Sequence, residues 1–197
     1  MKPDMNCLYE IAESQRGYFT TAQAGGCGYS WALLSHHASG GKLVRMRRGL
    51  YRFRQYPSSP REEVMAAWLA AGSGAVVSHE SALDLLDLAD VIPDAIHVTI
   101  PRSRRSWKAP GDVTPHTSHE ALPAGDTVER DGIRLTSPVR TILDVALDGT
   151  SPDQVIRAIR LAIDRGVVTR SQLLAGAKNR GRRVERLVAG AVGDVPG

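Results

Sequence analysis

The sequence predicts an α+β chain built from two unlike segments, and three observations lead there. Glycine-punctuated helical stretches fill the first forty residues, and a basic run with hairpin character follows them. Pro57-Ser58-Ser59-Pro60 then makes a turn-forming break, beyond which strands and helices mix. Three short helices and then a basic hairpin is the order of a winged helix-turn-helix. The expected layout is a DNA-binding domain at 1–57, a mixed α/β domain with a helical end at 61–190, and a flexible tail at 191–197, with fraying from about Val188.

Taking the elements in order, Leu8, Ile11 and Ala12 recur at helical spacing, and Gly17 follows that helix. A second short helix opens in Phe19-Thr20-Thr21-Ala22-Gln23-Ala24, with Thr20 or Thr21 as its N-cap, and Gly25, Gly26 and Gly28 break it. Ser30 caps a third helix from Trp31 to about Ser39, which Gly40-Gly41 ends. In the run from Lys42 to Phe53, Leu43, Tyr51 and Phe53 read as strand residues and Arg48-Gly49 as a hairpin turn. Beyond the break, Arg61 to Ala71 reads as an amphipathic helix with Val64, Met65, Trp68 and Leu69 inward. Ala75-Val76-Val77 is a short strand, Ser78 caps a helix through Leu83, Leu86 and Leu88, and Ile96–Ile100 alternates as a strand. Weak strand signals lie between Gly111 and Arg134. Pro138 then occupies the favoured first position of a helix carrying Ile142, Leu143 and Val145, and two more helices follow at Pro152–Asp164 and Arg170–Ala177.

Composition is that of an ordinary globular protein, with 42% apolar and 23% charged residues in 197. No apolar run reaches membrane-spanning length, and Met1-Lys2-Pro3-Asp4 lacks the apolar stretch of a signal peptide, so the expected compartment is the cytoplasm. Cys7 and Cys27 are expected there as reduced thiols, too few to define a metal site. Net charge is +4, yet residues 1–60 carry eight Lys/Arg against three Asp/Glu, whereas the remainder carries seventeen against eighteen. The positive excess therefore resides in the first segment, which suits an acidic partner such as nucleic acid.

The candidate contacts follow from that charge. Lys42, Arg45, Arg47, Arg48, Arg52 and Arg54, with Arg61, precede the acidic Glu62, and phosphates supply the counter-charge such a cluster needs. Strand alternation is expected to put Arg45 and Arg47 on one face, with Val44 and Met46 on the other. The third helix would enter the major groove with Ser30, Trp31, Ser35 and His36 as contacts, while Leu33 and Leu34 pack inward. That helix is poor in Arg, Asn and Gln, so the wing and DNA shape carry more of the expected recognition. Arg102, Arg104, Arg105 and Lys108, beside Trp107, form a second basic loop suited to phosphate contact and stacking.

Four stretches resemble the AbiEi family of antitoxins from type IV (AbiE-like) toxin–antitoxin systems. They are Gly17–Ala24, Leu43–Arg52, Ala75–Leu83 and the block Ile133-Arg134-Leu135-Thr136-Ser137-Pro138-Val139-Arg140-Thr141-Ile142-Leu143-Asp144. The resemblance implies a DNA-binding antitoxin and transcriptional autorepressor. Its winged helix would bind double-stranded DNA at its own promoter, and its C-terminal domain would neutralise a cognate nucleotidyltransferase-like toxin.

Enzyme signatures are weak. Gly72-Ser73 followed by Asp84 and Asp87 has Asp-x-x-Asp spacing on a helix, where nucleotidyl transfer uses a closer carboxylate pair. His79-Glu80 beside Ser78 lacks a third partner in the sequence, and Ser78 reads as a cap with the other two on the first turn. His116-x-x-His119 with Glu120 sits in a Pro/Thr/Ser loop without further ligands. The expectation is therefore no catalytic residue, no metal, no cofactor and no membrane association. Glu80 to Asp94 holds five acidic residues and no Lys/Arg, a face suited to a basic protein such as a toxin. The alternatives are a stand-alone winged-helix transcription factor with a ligand-sensing second domain, and an unrecognised nuclease or nucleotidyltransferase.

Overall fold

Residues 2–89, 93–178 and 180–193 are described by a computed structural model. The chain is α+β and divides into two units, one of residues 1–75 with 131–133, the other of residues 76–130 with 134–197. Among the described residues, no helix is long and apolar enough to cross a membrane.

In the first unit, Asp4 caps α1 (Met5–Ser14) by accepting from the Asn6 and Cys7 amides. Strand β1 (Tyr18–Thr20) leads into α2 (Thr21–Gly26), where Thr20, and not Thr21, is the cap and forms a reciprocal capping box with Gln23. Ser30 caps α3 (Trp31–Ser39) through the Leu33 amide. The hairpin of β2 (Leu43–Arg47) and β3 (Leu50–Phe53) turns at Arg48-Gly49, and β1 pairs with β3 to give an antiparallel sheet ordered β1-β3-β2. The Thr21 amide donates to the Gly49 carbonyl at 2.9 Å, tying the hairpin turn to the start of α2. Leu8, Phe19, Ala24, Leu34, Leu43 and Tyr51 fill the core between helices and sheet, with the Phe19 and Tyr51 rings stacked.

Two expectations change here. Cys7 and Cys27 are not separate thiols: they form a disulfide joining α1 to the end of α2, with their Cα atoms 5.8 Å apart. The boundary also falls later than Pro57–Pro60. Helix α4 (Glu62–Ala71) belongs to the first unit, because Val64, Met65 and Leu69 need cover and Glu62 pairs with Arg52 of β3. The Trp68 indole N–H then donates to the Ala75 carbonyl at 2.8 Å. Residues 131–133 join the same unit through Gly132, where any Cβ would collide with the Ser14 carbonyl.

Among the described residues, the second unit is a mixed five-stranded sheet ordered β6-β5-β4-β8-β7, with five α-helices. Its strands are β4 (Val76–Val77), β5 (Ile96–Pro101), β6 (Val113–Ser118), β7 (Thr127–Arg130) and β8 (Ile133–Thr136). Val77 sits centrally, opposite Val98 in an antiparallel pair and Leu135 in a parallel one. The edge strands β6 and β7 are the half-polar ones, which is why 111–134 reads weakly in the sequence. Helix α5 (His79–Leu85) follows β4 directly. A helical cluster of α6 (Pro138–Asp148), α7 (Pro152–Asp164), α8 (Arg170–Ala177) and α9 (Arg182–Gly193) is packed through Ile142, Val145, Ile159, Leu173 and Val184. The expected fraying from Val188 and the tail from 191 are overturned: Val188, Ala191 and Val192 are buried on the inner face of α9. Residues 194–197 of that expected tail lie outside the described residues.

Candidate nucleic-acid interface

The exposed surface of α3 and its hairpin starts with Trp31. As the first helical residue after the Ser30 cap it is 67% exposed, an unusual position for an indole on a polar surface. Ser35 lies one turn on, and His36 is exposed. Leu34 is buried and Leu33 half-buried, so the inward face is as expected. Burial, with Lys42 and His36 nearby, pushes His37 below its ordinary value and keeps that ring neutral.

The hairpin departs from simple alternation. Its register shifts between Arg45, opposite Tyr51, and Arg47, opposite Leu50. That bulge breaks the period of two, so Arg45 and Met46 are both exposed while Arg47 is half-buried. Lys42, Arg48 and Arg54 are exposed, and the Arg54 Nε–H donates to the Gly41 carbonyl at 2.7 Å, bracing the open end of the hairpin. Arg52 stands apart from this set. Its guanidinium donates to the Pro57 carbonyl and the Glu62 carboxylate, lies 5.5 Å from the Tyr18 ring centroid, and is only 11% exposed.

The second basic loop belongs to the other unit. Arg102–Arg104 make a single 3-10 turn at the end of β5. Arg102 lies against His119, Arg105 and Lys108 are exposed, and Arg104 and Trp107 are half-buried. The acidic run from Glu80 is less uniform than its sequence suggests. Arg130 pairs with Asp87 at 2.6 Å, and Glu80 accepts from the Thr150 hydroxyl at 3.1 Å; Asp90 lies outside the described residues.

Two sequence motifs change meaning. In the Thr136-Ser137-Pro138-x-Arg140-Thr141 block, the Thr136 and Thr141 hydroxyls meet at 2.6 Å inside the unit. Arg140 holds Asp144 and Asp126, and Arg180 adds a second bond to Asp144, which is 4% exposed. This block therefore locks α6 to its surroundings. The Ser78 hydroxyl does not cap α5. It meets His79 Nδ1 at 2.9 Å and accepts from Thr99 at 2.8 Å. His116 parts from His119 and joins His79 and His97 instead, a grouping that residues 19 and 37 positions apart along the chain could not announce.

A basic hairpin beside a short helix with an exposed aromatic N-terminus suits the regulator class of proteins. Residues 8–54, which span most of α1 through β3, match the family model described as a transcriptional regulator, AbiEi antitoxin. That match agrees with the AbiEi resemblance and supports a role as regulator of the antitoxin kind. The fold is similar to the crystal structure of the RV2827C protein from Mycobacterium tuberculosis, with a TM-score of 0.60 at 15% identity, over 96% of this chain and 76% of that one. No curated protein sequence matched.

Proposed function

We propose that the chain is a DNA-binding antitoxin and autorepressor whose first unit works as a winged helix-turn-helix. Helix α3 would present its N-terminal turn to the major groove, with Ser30, Trp31, Ser35 and His36 at the bases or phosphates. Lys42, Arg45, Arg47, Arg48 and Arg54 of the wing would contact the phosphates or the minor groove beside it. The observation that carries the reading is the exposure of Arg45 and Arg48 on the same hairpin whose turn is bonded to the start of α2. Arg52 would act from behind, through Glu62 and Tyr18. The second unit, with residues 102–108 as an auxiliary phosphate contact, would neutralise a nucleotidyltransferase-like toxin, a role taken from the AbiEi resemblance. Such a repressor is non-catalytic and works in the cytoplasm.

The test is binding to the DNA upstream of the chain's own operon over a salt series. Arg45→Ala/Arg47→Ala/Arg48→Ala should weaken binding and flatten the salt slope by about 2 to 3. Trp31→Ala should weaken it at unchanged stability. Unaltered affinity and slope in both variants would reject the interface.

A further inference from the structure

The second unit brings together three histidines that the regulator role does not use. We propose that His79, His97 and His116 form a binding site for a late first-row divalent metal ion, of which Zn²⁺ is the natural probe. One nitrogen from each ring lies within 4.8 Å of the other two. A tetrahedral zinc sets its nitrogen ligands about 3.4 Å apart, given Zn–N bonds near 2.05 Å. His97 Nδ1 and His116 Nε2 are already 3.0 Å apart. His79 and His116 stack with centroids 3.6 Å apart, so loading needs these two rings to fan apart about their side-chain torsions.

The strands explain the convergence. In the parallel β5–β6 pair, Thr99 lies opposite His116, and His97 is two residues before Thr99 on the same face. His97 and His116 are therefore diagonal neighbours. His79 reaches the same place from the β4–α5 junction, where it holds φ +52°, a left-handed conformation that non-glycine residues adopt rarely. An ordinary helix start does not need that geometry; aiming an imidazole at this sheet face accounts for it.

The surroundings are those of ligands with fixed outer nitrogens. Ser78, itself held by Thr99, engages His79 Nδ1 and leaves Nε2 for the metal. His97 Nε2 faces the Glu80 carboxylate at 3.9 Å, and Thr150 orients that carboxylate. Carboxylate behind imidazole is a recurrent support for zinc ligation, because it sets the tautomer and makes the metal-facing nitrogen more basic. Burial of His79 disfavours the charged imidazolium and leaves the neutral form that coordinates. Imidazole nitrogens without thiolates favour Zn²⁺, Ni²⁺, Cu²⁺ or Co²⁺ over Mg²⁺ or Ca²⁺. Three protein ligands leave a fourth position for water or an anionic group.

The test uses the full-length, untagged chain, stripped with chelator, reloaded with Zn²⁺ or Co²⁺, and passed through gel filtration. One equivalent of zinc should remain bound and raise the unfolding temperature. Co²⁺ should give the visible absorption of a tetrahedral site. His97→Gln and His116→Gln should each remove the cobalt spectrum and the zinc-dependent thermal shift, whereas His36→Gln/His37→Gln should retain both. His97 is half-buried, so its variant keeps the fold, which circular dichroism verifies. Failure of the wild-type chain to retain zinc, or retention that depends on His36 and His37, would overturn the site. These readouts do not involve DNA, so the result stands apart from the proposed regulator function.

Discussion

The Arg52 guanidinium lies 3.1 Å from the Glu62 carboxylate, joining the last strand of the hairpin to the helix that follows the Pro57–Pro60 turn. Two more contacts, to the Pro57 carbonyl and the Tyr18 ring, make Arg52 an internal clamp, whereas Lys42, Arg45, Arg48 and Arg54 of the same segment are exposed. Arg52→Ala should therefore cost about 1–3 kcal/mol of stability, since it strands a part-buried carboxylate and removes packing. Arg45→Ala, at an exposed position, should cost within about 0.5 kcal/mol. Urea melts of both variants check this; equal stability would show that Arg52 is not a clamp.

Reduction of the Cys7–Cys27 disulfide should loosen the first unit. The two cysteines are 20 residues apart, and closing a loop of that size is worth about 3 kcal/mol in the chain-entropy description. Cys7→Ser/Cys27→Ser, or the wild-type chain in dithiothreitol, should lose close to that amount and melt several degrees earlier. Identical melting with and without reductant would remove the disulfide from the stability of this unit.

Asp144 is a buried carboxylate of the second unit with two cationic partners. It is 4% exposed and receives both Arg140 and Arg180. Asp144→Asn leaves two part-buried guanidiniums short of a counter-charge and should cost about 3 kcal/mol or more. Asp126→Asn touches the same Arg140 from a position that is 38% exposed, and should cost about 1 kcal/mol or less. Denaturant midpoints of the pair would separate the two, and reversal of their order would contradict the arrangement.

Stability should also depend on pH through His79. In the unfolded chain it titrates near 6.5; in the fold, burial first and the neighbouring His116 and His97 next lower it to about 3. Between those values the unfolded chain takes up a proton that the folded chain refuses. Its contribution is thus complete above pH 6.5 and is lost as pH falls towards 3, at up to about 1.4 kcal/mol per pH unit. His79→Asn, which suits the left-handed backbone, should flatten this slope in chelator-treated protein. An unchanged pH profile would place the titration elsewhere.

Most of the first unit is legible in the sequence because its signals are local. Thr20 and Ser30 announce helix starts, glycines announce ends, and Leu43, Tyr51 and Phe53 mark the hairpin. The same holds for Pro152–Asp164, whose apolar stripe is clear. What escaped was long-range. The period-two expectation for Arg45 and Arg47 failed because one bulge residue resets the face. Val188, Ala191 and Val192 read as a tail in the sequence because their burial depends on α7 and α8, which no local window contains. The histidines follow the same pattern: the sequence sets His79 beside Ser78 and His116 near His119, since sequence neighbours are visible and sheet neighbours are not.

The bond from the Thr21 amide to the Gly49 carbonyl has a mechanical consequence. It fastens the tip of the hairpin to the helical part of the unit, and the Arg54 bond to Gly41 fastens the open end. With the tip held to the start of α2 and the open end held at Gly41, the hairpin is set in place during folding. Its exposed cations therefore stand on a preset arm, and little entropy is lost in arranging it when a partner is met.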